Sequence, residues 1–163
     1  MAKKGKSKKE LDDPTFKSIA KNRRAYHDYE VLDTFEAGLV LLGTEVKSLR
    51  NGNVSFNDAH ARIKNNEVWL HQLHIAPYAQ GGYFNHAPTR PRKLLLHRKE
   101  ITSIDGRMGR MNLTLVPIEL YFRGGRAKLK FGVCRGKKKA DKRQALRKRQ
   151  DDRTMQRALR SRD

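Results

Sequence analysis

Residues 113–133 read LTLVPIELYFRGGRAKLKFGV, and this stretch decides the fold. Its second half alternates strictly, with Ala127, Leu129, Phe131 and Val133 set against Lys128, Lys130 and Gly132. That is the period of a strand with one face in a core and lysines on the other. Leu113 to Phe122 also has strand composition. Pro117 lies inside it, which predicts a sheet edge or a bulge at that point. Arg123-Gly124-Gly125-Arg126 turns the chain between the two strands.

Upstream, Tyr26 to Glu36 reads as a strand, with Tyr29, Val31 and Phe35 on one face and Glu30, Leu32 and Thr34 on the other. Ala37-Gly38 interrupts it, Gly38 predicting a bulge or tight bend, and Leu39 to Leu42 is a short apolar strand. Thr44 is the expected cap of a helix running to about Arg50, with Gly52 just beyond. Phe56 to Lys64 and Val68 to Ile75 form the next strand pair around Asn65-Asn66, which tolerates positive φ. Ala59, Ala61 and Ile63 alternate with His60, Arg62 and Lys64. Trp69, Leu73 and Ile75 are predicted to share a face. Ala76 to Pro91 is a loop of about sixteen residues, long enough to suggest a function of its own. Arg92 to Ile104 reads as a helix, because Leu95, Ile101, Ile104 and Met108 recur at helical intervals. Phe16 to Arg24 is a short entry segment ending in a basic cluster.

About six strands in some 110 residues, joined by hairpins, need a way to hide their edges. The expected fold is therefore mainly β: a small antiparallel β-barrel of the oligonucleotide-binding (OB) type with two or three short flanking helices. A sandwich is the alternative. The domain plan is a disordered basic arm over 1–15, the barrel over 16–134 and a basic tail over 135–163.

The formal net charge is +20 over 163 residues, and the tail alone holds 13 Lys or Arg against four Asp. Such a balance suits nucleic acid or an anionic surface. No apolar run approaches the roughly 20 residues needed to span a bilayer, and no apolar stretch follows the lysines at the N-terminus to make a secretory signal. The single cysteine, Cys134, excludes an internal disulfide and a cysteine-based zinc site and fits a reducing, cytoplasmic setting. His71 and His74, three apart on an expected strand, point to opposite faces and make a poor metal pair. No H-E-x-x-H, P-loop or G-x-S-x-G sequence occurs, so no catalytic or metal residue is assigned. What remains is binding. Cations meet phosphates, and Tyr26, His27, Tyr83, Phe84 and His97 offer flat rings to unpaired bases.

The tail has only Leu146, Met155 and Leu159 as larger apolar side chains. It is expected to be disordered when free and helical on a polyanion, where Arg149, Arg153, Arg157 and Arg160 would share one stripe. A solvated solubility tail is the plainer reading.

Several linked runs add a resemblance. They are Phe35-Glu36-Ala37-Gly38-Leu39, Gly43-Thr44-Glu45-Val46-Lys47-Ser48-Leu49-Arg50, Pro88-Thr89-Arg90-Pro91-Arg92-Lys93-Leu94-Leu95-Leu96, Gly132-Val133, Gly136-Lys137-Lys138 and Asp141-Lys142-Arg143. In this order they closely resemble the SsrA-binding protein (small protein B) family, over about Ala20 to Arg149. The resemblance implies an RNA-binding adapter of bacterial trans-translation, without cofactor or catalysis. Such an adapter binds the tRNA-like domain of transfer-messenger RNA (tmRNA) and delivers it to stalled ribosomes, with elongation factor Tu as part of the delivered complex. It implies RNA-facing roles for Asn22, Arg23, Arg24, Glu36, Lys93, Leu95 and His97. It also implies ribosome contacts at the decoding centre and mRNA channel of the small subunit for His27, Lys137, Lys138, Asp141, Lys142 and Arg143, continued along the tail by Arg149, Arg153, Arg157 and Arg160. Ala140 departs from the His or Tyr common there, so no stacking role is carried over to it. A ribosome-associated structural RNA-binding protein held by its basic arms and a nuclease or RNA-modifying enzyme are the competing readings.

Overall fold

The computed structural model describes residues 15–109 and 112–160. The expectation for the first fourteen residues lies outside them. Among the described residues nine strands form, seven of them in one antiparallel sheet. They are β1 (Phe16–Lys21), β2 (Tyr29–Leu39), β3 (Val54–Ser55), β4 (His60–Lys64), β5 (Glu67–His71), β6 (His74–Ile75), β7 (Arg92–Leu95), β8 (Leu113–Arg123) and β9 (Arg126–Gly136). The helices are α1 (Arg23–Asp28), α2 (Gly43–Arg50), α3 (Arg98–Met108) and α4 (Lys139–Arg160). The main sheet runs β1-β8-β4-β5-β7-β2-β9, and β9 pairs again with β8, which closes a ring around the core. The barrel is thus the expected fold, reached with more strands than the sequence suggested.

The β8–β9 hairpin is the frame. Leu129, Phe131 and Val133 are buried, and Gly124 and Gly125 make the turn at φ +55° and +72°. Pro117 marks a bulge: Pro117 pairs with Phe131 and Glu119 with Lys130, leaving Ile118 as the extra residue. The inward positions accordingly change from Leu115 to Leu120 and Phe122. A similar slip at Leu32 separates Val31↔Cys134 from Asp33↔Val133. It sends Phe35, Ala37 and Leu39 into the barrel core while Val31 packs outside, with Val116 and Cys134 under Ala25 of α1. Burial raises the Cys134 thiol to about 11, opposed by a hydrogen bond with the Val116 backbone, so it stays protonated.

Several local expectations differ from the structure. Phe16–Lys21 is a strand on the free edge of β8, not an entry segment, and its own bulge at Ile19 hides the period. Tyr26 to Asp28 is helical, since Asn22 caps α1 by accepting from the Ala25 N–H at 3.2 Å. Gly38 lies inside β2, opposite Leu95, rather than at a bend, and Val40 to Leu42 is not strand. The buried face of β5 is Val68 and Leu70, not Trp69, because Gln72 at φ +57° breaks the strand before Leu73 and Ile75. Arg92–Leu95 is strand β7, paired with β5 and β2, and the helix begins only at Arg98.

The 76–91 loop is anchored by a buried ionic cluster. Arg92 is fully buried and donates to Glu45 Oε1 (2.9 Å), to the Leu73 carbonyl (2.6 Å) and to the Pro88 carbonyl (2.9 Å). Arg90 holds both Glu45 oxygens, and the Leu42 N–H adds a further bond at 2.9 Å. Glu45, not Thr44, therefore closes the start of α2. Burial alone would raise the Glu45 carboxyl. The Arg90 hydrogen bonds, the Leu42 N–H and Arg92 outweigh it and hold the pKa below its ordinary value.

α4 leaves the end of β9 as one 22-residue helix. Its described side chains are exposed, Leu146 and Met155 among them, so they bury no apolar face. β9 ends at Gly136, two residues past the expected boundary at 134. Among the described residues no helix is long and apolar enough to cross a membrane, and no three His, Cys, Asp or Glu side chains gather to hold a metal.

Candidate nucleic-acid interface

Strand register assembles the outer face of the barrel from residues far apart in sequence. One row crosses the sheet as Tyr121, Lys128, Gly38 and Leu95. The neighbouring row is Lys21, Glu119, Lys130 and Glu36. Strands stand about 4.8 Å apart, so each row spans roughly 14 Å. Glu36 is half-buried at the β2 end of the second row. Its carboxylate accepts from the Tyr121 hydroxyl, from Lys128 Nζ at 2.5 Å and from Arg123 Nη1 at 3.3 Å. Burial would raise its pKa. Hydrogen bonds from Lys128 and Tyr121 and the charges of Lys128 and Arg123 prevail and lower it. Glu36 is thus ionised at neutral pH and fixes two cations.

β1 completes this clamp. Phe16 covers Tyr121 with ring centres 4.9 Å apart, and the Arg123 guanidinium lies 6.0 Å from the Phe16 ring and 5.7 Å from the Tyr121 ring. Leu95 is 55% exposed and lies directly against Gly38, where any Cβ would meet the Leu95 Cβ at 3.3 Å. Glycine at 38 lets the leucine lie low across β2. Lys93, on the same side of β7, is ion-paired with Glu67 and stands opposite Trp69. His97 is exposed where β7 passes into α3, its N–H bonded to Glu100 Oε2 at 2.9 Å. Glu36, Lys93 and Leu95 therefore share one continuous face, and His97 stands just beyond the end of β7.

Asn22, Arg23 and Arg24 continue from Lys21 at the β1 end of the second row. Asn22 is engaged at both ends, since its amide also donates to the Pro117 carbonyl at 2.9 Å. Arg23 and Arg24 are exposed. His27 closes α1 with Nδ1 2.8 Å from Asp28 Oδ1. Lys137 ties the root of the tail to the same helix, its N–H donating to the Asp28 carbonyl (3.0 Å) and its Nζ to the Tyr26 carbonyl (2.9 Å). Lys138 follows, exposed. Along α4, Arg143, Arg153 and Arg157 are exposed, whereas the side chains of Asp141, Lys142, Arg149 and Arg160 lie outside the described part. Between α1, β4 and α3 an open cleft of about 1160 Å³ mixes Arg23, Arg24 and Arg62 with Asp28, Asp58 and Asp105, so it selects no one sign of ligand.

Sequence reading missed Tyr121, Arg123, Lys128 and Phe16. Lys128 was visible as an outward lysine, but nothing in the linear order links it to Glu36. His71 makes no pair with His74. It stacks on His60 at 5.6 Å, and burial, then the positive neighbours His60, Arg62 and Lys64, lowers its pKa.

Comparison with known proteins places this geometry. A family model described as SmpB protein matches residues 19–161. The SsrA-binding protein of Thermobifida fusca (strain YX) is 58% identical over 146 residues, 90% of this chain and 91% of that one. That of Carboxydothermus hydrogenoformans is 53% identical over 146 residues, 90% of this chain and 98% of that one. A solved structure described as "tmRNA-SmpB: a journey to the center of the bacterial ribosome" is 48% identical, with a TM-score of 0.64, and covers 78% of this chain and 94% of its own. The chain belongs to the SmpB, or SsrA-binding protein, family.

Proposed function

We infer that this protein is the tmRNA-binding adapter of trans-translation, carrying that RNA to stalled ribosomes so that unfinished peptides are tagged. The observation that carries the reading is the Glu36 clamp on the barrel's outer face, in a chain at least half identical to SsrA-binding proteins over nine tenths of its length. A carboxylate would repel phosphate if it stood alone. Here it holds Lys128 and Arg123 at fixed positions beside an apolar Leu95 and an exposed His97, a surface suited to a folded RNA rather than to any polyanion.

The site divides into two parts. Glu36, Lys93, Leu95 and His97, with Asn22, Arg23 and Arg24 at the edge, meet the tRNA-like domain. His27, Lys137 and Lys138 lead into the tail, where Asp141, Lys142, Arg143, Arg149, Arg153, Arg157 and Arg160 meet ribosomal RNA along the decoding centre and mRNA channel. The described side chains of α4 bury no apolar face that could offset the backbone ordering entropy of roughly 1–2 kcal/mol per residue, so contacts with ribosomal phosphates stabilise this helix. The arm over 1–15 adds basic charge to the chain. The adapter acts in the cytoplasm, performs no chemistry of its own, and travels with elongation factor Tu in the delivered complex.

Truncation after Gly136 tests this division. RNA affinity stays close to that of the full chain, while tagging of peptides from a message without a stop codon is lost in a bacterial translation extract. A truncated protein that tags normally would overturn the assignment of the tail.

A further inference from the structure

We propose that the tip of the 76–91 loop is a second RNA contact, in which Tyr83 and Phe84 stack on unpaired bases of the RNA held by the Glu36 face. The inference rests on the reading of that face as an RNA-binding surface.

Tyr83 is 106% exposed and Phe84 78%, more than any other large apolar side chain described. Nothing in the fold needs them there. Burying such rings would favour a core position by about 2 kcal/mol or more each, yet the loop is built to hold them out. Asn85 grips the loop from inside: its carbonyl oxygen accepts from the Tyr78 N–H and its amide donates to the Tyr78 carbonyl, both at 2.9 Å. The turn is closed by Gly81 N–H to Tyr78 carbonyl (2.8 Å) and Phe84 N–H to Gly81 carbonyl (2.9 Å). Gly82, at φ +49°, takes a left-handed conformation that most side chains resist. From α2, the Thr44 hydroxyl donates to the Phe84 carbonyl at 3.3 Å. The base of the loop is fixed by Glu45 between Arg90 and Arg92. Two rings on a braced loop lose little conformational freedom on binding, which is what a stacking platform requires.

Charge selects the partner. The 76–91 loop contains no Asp or Glu, and the one acid of α2, Glu45, is buried. The exposed basic side chains of these segments are Lys47, Arg50 and His86, and Lys47 Nζ lies 5.5 Å from the Tyr78 ring. Exposed flat rings on segments that carry basic side chains and no exposed acid suit single-stranded nucleic acid. Position selects which one. β2 carries Glu36 and Gly38 outward, and exposed Val40 and Leu42 continue the chain to Thr44. Eight residues span at most about 28 Å from Glu36 to Thr44, within reach of one folded RNA. A ribosomal protein is the competing occupant.

The test uses the full chain and a labelled transcript of the tRNA-like domain of tmRNA at about 0.15 M salt. The variants are Tyr83→Ala/Phe84→Ala, Tyr83→Leu/Phe84→Leu and Tyr83→Trp/Phe84→Trp, with Glu36→Ala in parallel. All three ring variants should melt like the unaltered protein, since the rings are outside. The alanine and leucine pairs should bind about tenfold or more weakly, the tryptophan pair as tightly as the original. Chemical probing should show unpaired bases protected by the original protein and released with the alanine pair. An alanine pair that binds like the original, or a leucine pair that restores binding, overturns the proposal. An alanine pair with normal RNA affinity but lost ribosome association assigns the rings to a ribosomal protein and overturns it too. If Glu36→Ala alone weakens binding, only this proposal fails. If the original protein does not bind the transcript, the reading beneath it fails as well.

Discussion

Glu36→Ala should weaken tmRNA binding although it makes the protein more positive. Two effects oppose each other. Removing a carboxylate about 10 Å from a phosphate relieves a repulsion of roughly 0.4 kcal/mol in water, less once salt screens it. Against this, Lys128 and Arg123 lose the oxygens that hold them, at 2.5 and 3.3 Å, and Tyr121 loses its acceptor. Fixing a long cationic side chain anew on binding costs about 0.5–1.5 kcal/mol, so two cost about 1–3. The difference is about 0.6–2.6 kcal/mol, a roughly 3- to 80-fold loss of affinity. Glu36→Gln, which keeps an acceptor oxygen but not the charge, should fall between. Fluorescence anisotropy with the tRNA-like transcript at fixed salt measures all three proteins. An alanine variant that binds as tightly as the original, or more tightly, would show that the outer face works by net charge alone and that the clamp is incidental.

Lys93→Ala should reduce the slope of log affinity against log salt by about 0.7–0.9, the share of one phosphate contact, and a slope equal to the original's would remove Lys93 from the interface. Glu45→Gln should destabilise the fold by about 3–5 kcal/mol, because it strands the buried Arg92 charge, and lower the melting temperature by about 10 °C or more; a shift under about 3 °C would refute it. Because the Glu45 carboxyl titrates lower folded than unfolded, its stabilisation is complete above the unfolded pKa of roughly 4.3 and is lost as the pH falls through the folded value, a dependence Glu45→Gln should flatten. Met155→Pro should abolish tagging where Met155→Ala does not, with tmRNA binding unchanged, since proline costs a helix about 3 kcal/mol and Met155 is exposed; equal tagging by the two would mean that the tail acts as a flexible polycation.

The hairpin of β8 and β9 was legible because its period runs unbroken from Ala127 to Val133 and its turn is spelled by two glycines. β1 was not, because a bulge at Ile19 breaks a six-residue strand into pieces too short to show a period. β7 reads as the start of a helix because four residues cannot separate a period of 2 from one of 3.6, and Leu95 with Ile101 and Ile104 completes a helical pattern by coincidence. Trp69 reads as facing inward because a strand continued through Gln72 keeps a parity that the left-handed residue resets. The site shows the same limit. Glu36, Leu95 and His97 came from a resemblance, not from their chemistry, since an acid on a strand is ordinarily just solvated. What makes Glu36 unusual is a register that sets Lys128 and Tyr121 beside it, some 85–92 positions away, and two bulges decide that register.

The most direct measurement is the identity of the RNA that purifies with the protein. Sequencing after gentle isolation from its own cells should return one dominant RNA with a tRNA-like end, enriched far above bulk tRNA, and its recovery should fall with Glu36→Ala. Ribosomal RNA as the only abundant species, unchanged by Glu36→Ala, would contradict the adapter reading and leave a protein held on the ribosome by its basic arms.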